Sequence, residues 1–164
     1  DEDQNYMSVS QFEAQLAVAM GGRAAEEIVL GDFTTGASGD IQQATRLARA
    51  MVTRYGMSDL LGPIAFGEKE ELIFLGREIS EQRNYSDETS RKIDSEVKRL
   101  VEEGHSRARA ILERDRDVMN RMAEALIEHE TLDGAPLKAI LDDVTPFVPS
   151  NGVFQGEVLP KERV

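Results

Sequence analysis

A mainly α-helical chain is predicted by three features of the sequence. Apolar residues recur at helical spacing through most of the 164 positions, glycine and proline punctuate those runs, and β-type patterning is confined to one short stretch. The expected architecture is a helical array with one small β-hairpin or flap and a C-terminal antiparallel helical pair.

The first helix is expected from about Ser10 to Leu30, because Val9, Phe12, Leu16 and Ala19 share one face and Ser10 with Glu13 fits a capping box. Gly21-Gly22 in its interior costs about 1 kcal/mol per glycine relative to alanine, so something is expected to press closely there. Gly31 ends it. After a loop carrying Gly36 and Gly39, a second helix spanning 40–55 presents Ile41, Ala44, Ala48, Met51 and Tyr55, with Gly56 as its stop and Asp40 in its first turn.

Pro63, Gly67 and Gly76 then break the pattern into two short apolar runs, Ile64 to Phe66 and Leu72 to Leu75, which predict the hairpin. Ser86 caps a long helix whose first turn holds Asp87 and Glu88, where the helix dipole favours acids. Its stripe is Ile93, Val97, Leu100, Gly104, Ala108 and Ile111. A break at "ERDRD" precedes a helix with Val118, Met122, Leu126 and Ile127 facing inward, and Asp133-Gly134 turns into a short helix begun by Pro136. The two longer helices, about 86–130, form the expected pair. Residues 142–164, with Pro146, Pro149 and Pro160, lack any sustained period and are expected to form a flexible tail.

Composition narrows the function. Nineteen basic against 31 acidic residues give a net charge of -12, which repels nucleic-acid phosphates and anionic lipids. With no cysteine, disulfides and thiolate metal sites are excluded, and any metal must take nitrogen or oxygen ligands. No apolar run approaches the roughly 20 residues of a membrane span, so these residues are expected to be soluble. A Walker loop and a Gly-x-Gly-x-x-Gly fingerprint are both absent, leaving nucleotides no cradle in this segment.

One stretch remains, "TTGASGD" at residues 34–40, which delivers the Asp40 carboxylate at the mouth of a helix. One reading is a helix-start residue stabilised by the dipole and unpaired amides, by about 0.3 to 1 kcal/mol. The other is a single metal ligand projected from a tightly bent loop, and a catalytic zinc would then need about two further protein ligands. His105 and His129 lie on strongly charged helical sequence, where a solvated imidazole is the ordinary expectation. Arg23 with Glu26 or Glu27 reads as an ion pair on the first helix, either buried near a site or exposed. Thr34, Thr35 and Ser38 either bond the loop backbone, as turns and caps do, or support the carboxylate.

The ordered segments "LAVAMGGRAAEEIVLG", "TTGASGDIQQATRLARAMVTRYGMS", "LGPIAFG", "FLGRE" and "SDETSRKIDSEVKRLV" resemble the peptidase domain of FtsH, the membrane-anchored AAA+ zinc metalloprotease family. The resemblance covers about Ser10 to Leu141 and makes residues 1–141 a partial zinc peptidase domain. In that family a His-Glu-x-x-His helix gives two histidine ligands and a general-base glutamate, and an aspartate after a Thr-Gly-Ala loop is the third ligand. By resemblance that aspartate is Asp40, and Gly21-Gly22 lets its helix pack closely behind the zinc.

No His-Glu-x-x-His occurs in these residues. No catalytic residue is therefore assigned here, the zinc site is incomplete within these residues, and ATP belongs only to the parent protein. The resemblance implies a C-terminal part of an ATP-dependent zinc metalloendopeptidase that degrades membrane and unfolded proteins in protein quality control, assembling with other copies into a hexameric ring through the 86–130 helices. It also implies a parent anchored in the membrane by an N-terminal segment, with this domain on the cytoplasmic side, and a fragment that is inactive alone. The alternative from another class is a non-catalytic helical assembly module.

Overall fold

The computed structural model describes residues 6–67 and 85–144, in two compact units divided after Arg116. In the first unit, α1 runs Val9–Leu30, α2 Ser38–Thr53 and α3 Asp87–Arg114. α1 is capped two residues earlier than expected. Ser8 Oγ accepts from the Gln11 N–H at 3.3 Å, while the Gln11 side chain accepts from the Ser8 N–H at 2.7 Å. Ser8 and Gln11, not Ser10 and Glu13, form the reciprocal box, because glutamine serves that geometry as well as glutamate does. Gly31 closes the helix at φ 67°.

A single core joins the three helices. Phe12, Leu16, Met20 and Ala24 form a stripe along α1, facing Ala44, Ala48, Met51 and Val52 of α2 and Ile93, Val97, Leu100 and Ala108 of α3. Leu16, Met51, Ile93 and Val52 are the largest fully buried side chains, each stabilising the fold by about 1.5–3 kcal/mol. The α1–α3 crossing is closest at Gly104, where an added Cβ would lie 2.9 Å from Leu16 Cβ and 3.1 Å from its backbone carbon. The long α3 stripe is as expected, with Ile111 half-buried at its end.

α2 ends at Thr53, two residues earlier than its apolar pattern suggested. Tyr55 lies outside the helix and is half-exposed, although its ring still approaches Phe12 at 5.3 Å. The chain unwinds there through bonds from Tyr55 N to Ala50 O and from Met57 N to Met51 O, which let Gly56 take φ 60°. The following loop is fastened by Ser58, which is buried and donates to Glu96 on α3 at 2.7 Å.

The predicted β-hairpin is not supported. Its first arm, Ile64 to Phe66, carries no strand, and Pro63 and the left-handed Gly62 and Gly67 around it explain why. Its second arm, Leu72 to Leu75, lies outside the described residues. Among the described residues the fold is helical without strands. α4 spans Arg116–His129, all but its first residue in the second unit, which also holds α5, Gly134–Leu141. Ile127, expected to face inward, is 84% exposed. Arg121 pairs with Asp143 at 2.8 Å and ties α4 to the residues after α5. Of the expected tail, residues 145–164 lie outside the described residues.

Candidate metal-ligand site

The site is built where the end of α1 turns back toward the start of α2. A short 3-10 turn, Thr35–Ala37, precedes α2, and Asp40 falls in the first helical turn as the sequence indicated. Three alternate amides of this loop and turn, those of Thr34, Gly36 and Ser38, are accounted for by local chemistry. Glu26, in the last turn of α1, accepts from the Thr34 N–H at 3.1 Å and from Thr34 Oγ1 at 3.0 Å. Thr34 Oγ1 in turn accepts from the Gly36 N–H at 3.1 Å. The Ser38 N–H donates to Thr35 O.

Asp40 is different. Its carboxylate is half-buried, yet among the described residues it makes no hydrogen bond and no ion pair. Gly22 of α1 comes close to it, and an added Cβ there would sit 3.1 Å from Asp40 Oδ2. The double glycine is thus resolved into unequal halves: Gly22 receives the carboxylate, and Gly21 has nothing within 4 Å of its Cβ position.

The remaining charged groups of α1 are engaged elsewhere. Arg23 pairs with neither glutamate; its guanidinium stacks 4.2 Å above the half-exposed Phe33 ring. Glu27 meets Arg109 of α3 at 2.6 Å. Its second oxygen lies 3.1 Å from His105 Nε2, which is buried without an aligned hydrogen bond. Both long-range partners come from α3, so the choice between a local and a distant pair could not be read from spacing on α1. His105 is accordingly not the solvated residue expected. It lines an open groove with Met20, Arg23, Ile41, Val101, Glu102 and Ser106. His129 is 60% exposed in the last turn of α4.

No cluster of three or more histidine, cysteine, aspartate or glutamate side chains able to hold a metal exists among the described residues. The Asp40 carboxylate keeps its lone pairs free of protein donors among the described residues, and Thr35 and Ser38 do not reach it with a hydrogen bond. Sequence reasoning named Glu26 only as a partner for Arg23, whereas it accepts from Thr34. A signal existed: Glu26 and Glu27 sit at the negative end of the α1 dipole, which requires compensating donors nearby.

Comparison with known proteins places these features in context. The sequence profile of peptidase family M41 matches residues 1–140. The chain is 63% identical over 150 residues to the "ATP-dependent zinc metalloprotease FtsH" of Chloroflexus aggregans, covering 90% of this chain and 23% of that protein. It is 52% identical over 146 residues to "ATP-dependent zinc metalloprotease FtsH 1" of Thermomicrobium roseum, covering 89% and 22%. Identity to the similarly named protein of Sphaerobacter thermophilus is 53%, again covering 89% and 22%. The chain therefore spans under a quarter of the length of these relatives. No described helix is long and apolar enough to cross a membrane.

Proposed function

Because the chain belongs to peptidase family M41, we propose that it is the C-terminal part of the peptidase domain of an ATP-dependent zinc metalloendopeptidase, in which Asp40 is the third zinc ligand. The observation that carries this reading is the Asp40 carboxylate itself. It is half-buried at a helix start, seated against a glycine, and without a protein partner among the described residues. A structural helix-start acid has no need of such a seat. A carboxylate whose lone pairs no protein donor uses is open to a cation bound from outside these residues.

A bound zinc supplies Lewis acidity and lowers the pKa of water toward neutrality. Asp40 contributes anionic charge and a fixed direction to the metal, and it moves no proton. Gly22 leaves room for its oxygen, and the loop from Thr34 to Ala37 sets where the helix begins. Two histidine ligands and the general base would come from a His-Glu-x-x-His helix outside these residues.

ATP would act through the remainder of the parent protein, delivering unfolded and membrane proteins to the peptidase domain. α3 and α4 would contribute to a ring of copies, and the parent would be anchored to a membrane with this domain on the cytoplasmic side. The 164 residues alone are expected to cleave nothing, since one carboxylate cannot close a site. Casein hydrolysis tests this directly. EDTA-sensitive cleavage is expected from the full-length protein and none from the 164-residue chain; cleavage by the latter would refute the assignment.

A further inference from the structure

The loop after α2 has the form of an Ω-loop: its ends meet, and its middle is fixed to a different helix. At the ends, the Met57 N–H donates to Met51 O at 2.9 Å and the Phe66 N–H to Thr53 O at 2.8 Å, both carbonyls lying in the last turn of α2. Inside it, the Gly62 N–H donates to Ser58 O at 2.8 Å, and Gly56 runs so close to Pro63 that an added Cβ would lie 2.8 Å from Pro63 Cα. Met57, Leu61 and Phe66 form the inner side and pack on the core, whereas Tyr55, Leu60 and Ile64 are exposed.

The hold of this loop on α3 is polar. Ser58 and Glu96 are both buried, and the hydroxyl donates to a carboxylate oxygen that Arg99 also reaches. Arg99 is half-exposed and lies on α3 itself, so it stays beside Glu96 whether or not the loop is in place. Breaking a buried charged contact is prohibitive when it strands a charge without a partner. Here it strands none: the Glu96 carboxylate keeps its guanidinium, and the freed hydroxyl takes water. What opposes release is one charge-assisted hydrogen bond, the two amide bonds to α2 and the packing of three partly buried side chains.

We infer that residues 54–66 form a strap that opens as a unit while α1, α2 and α3 stay packed, with the Ser58–Glu96 hydrogen bond as its latch. Opening uncovers the apolar inner sides of Met57, Leu61 and Phe66. The strap is independent of the role of Asp40, and it belongs to the class of local openings that cost less than unfolding the whole fold.

The test is hydrogen–deuterium exchange of the full-length protein in rising urea below its unfolding midpoint, read by mass spectrometry with fragmentation to single amides. The Met57 and Phe66 amides, which bond to α2, are expected to exchange faster than the amides of Val97 and Leu100 in α3. Their urea dependence is expected to be weaker, because strap opening exposes less surface than unfolding. Ser58→Ala is expected to speed exchange at Met57 and Phe66 about 10–100-fold. Gly104→Ala, which crowds the α1–α3 crossing at Leu16, is expected to speed the α3 amides and leave Met57 and Phe66 unchanged. Exchange at Met57 and Phe66 with the rate and urea dependence of α3 would mean that the strap opens only with the whole fold, and would overturn the inference. So would Ser58→Ala without effect on these two amides, or Gly104→Ala speeding both sets equally. Should either variant fail to fold, the urea dependence in the natural protein decides the matter.

Discussion

Ser58 donates a 2.7 Å hydrogen bond to the buried carboxylate of Glu96, joining the loop after α2 to the middle of α3. Arg99 completes the group, reaching both oxygens of Glu96 at 2.9 and 3.1 Å and Glu103 at 2.8 Å. Ser58 Oγ also accepts from the Leu61 N–H at 3.2 Å, so the hydroxyl is used in both directions. Ser58→Ala would leave a buried acceptor short of a donor and is expected to cost about 1–3 kcal/mol in urea denaturation at neutral pH.

The same group gives the chain an acid-sensitive contact. The Arg99 guanidinium holds the Glu96 carboxyl below the usual carboxylate range, with the Ser58 hydroxyl assisting, while burial pushes the other way. A depressed folded pKa means that its stabilisation is fully present above the unfolded value of about 4.3 and is lost as pH falls through the folded value. Glu96→Gln is expected to be less stable than the natural chain at pH 7 and to show a shallower loss of stability below about pH 4.3. An unchanged acid limb would contradict the assignment.

Gly104 and Gly21 should respond in opposite directions to alanine. At Gly104 the new methyl meets Leu16 Cβ at 2.9 Å and its backbone at 3.1 Å, and backbone cannot yield as a flexible side chain can. Overpacking of about 1–3 kcal/mol outweighs the gain of about 1 kcal/mol in helix propensity. At Gly21 nothing lies within 4 Å, so the propensity gain stands alone. Thermal melts are expected to place Gly104→Ala below the natural chain and Gly21→Ala above it.

The α1 cap offers a smaller test. Ser8→Ala removes the acceptor for the Gln11 N–H and is expected to cost about 1 kcal/mol. Ser10→Ala, whose hydroxyl contacts only Ser8 Oγ among the described residues, is expected to cost less. Equal losses would put the cap where the sequence first suggested it.

Periodicity located α1, α2 and α3 because a stripe such as Phe12, Leu16, Met20 and Ala24 is local in sequence and shared by the core. It overran at Tyr55, because the helix ends at Thr53, three residues before Gly56, and at Ile127, which continues the spacing but faces solvent. The position of Asp40 in the first turn of α2 was legible from the glycine loop and the following stripe. The partners of α1 were not. Glu27 is answered by Arg109, 82 residues away, and Glu26 by a loop whose reversal brings Thr34 back across eight residues. Such pairings depend on how helices cross, which no local pattern encodes.

Zinc binding by the Asp40 carboxylate, seated against Gly22, is the proposal on which the site depends. Its most direct test is zinc content per chain in the full-length protein, natural sequence against Asp40→Asn, with helix content checked by circular dichroism. Near-stoichiometric zinc in the natural protein and loss of it in a folded variant is the result this account requires. Equal zinc in both would make Asp40 a helix-start residue and assign the metal to other groups.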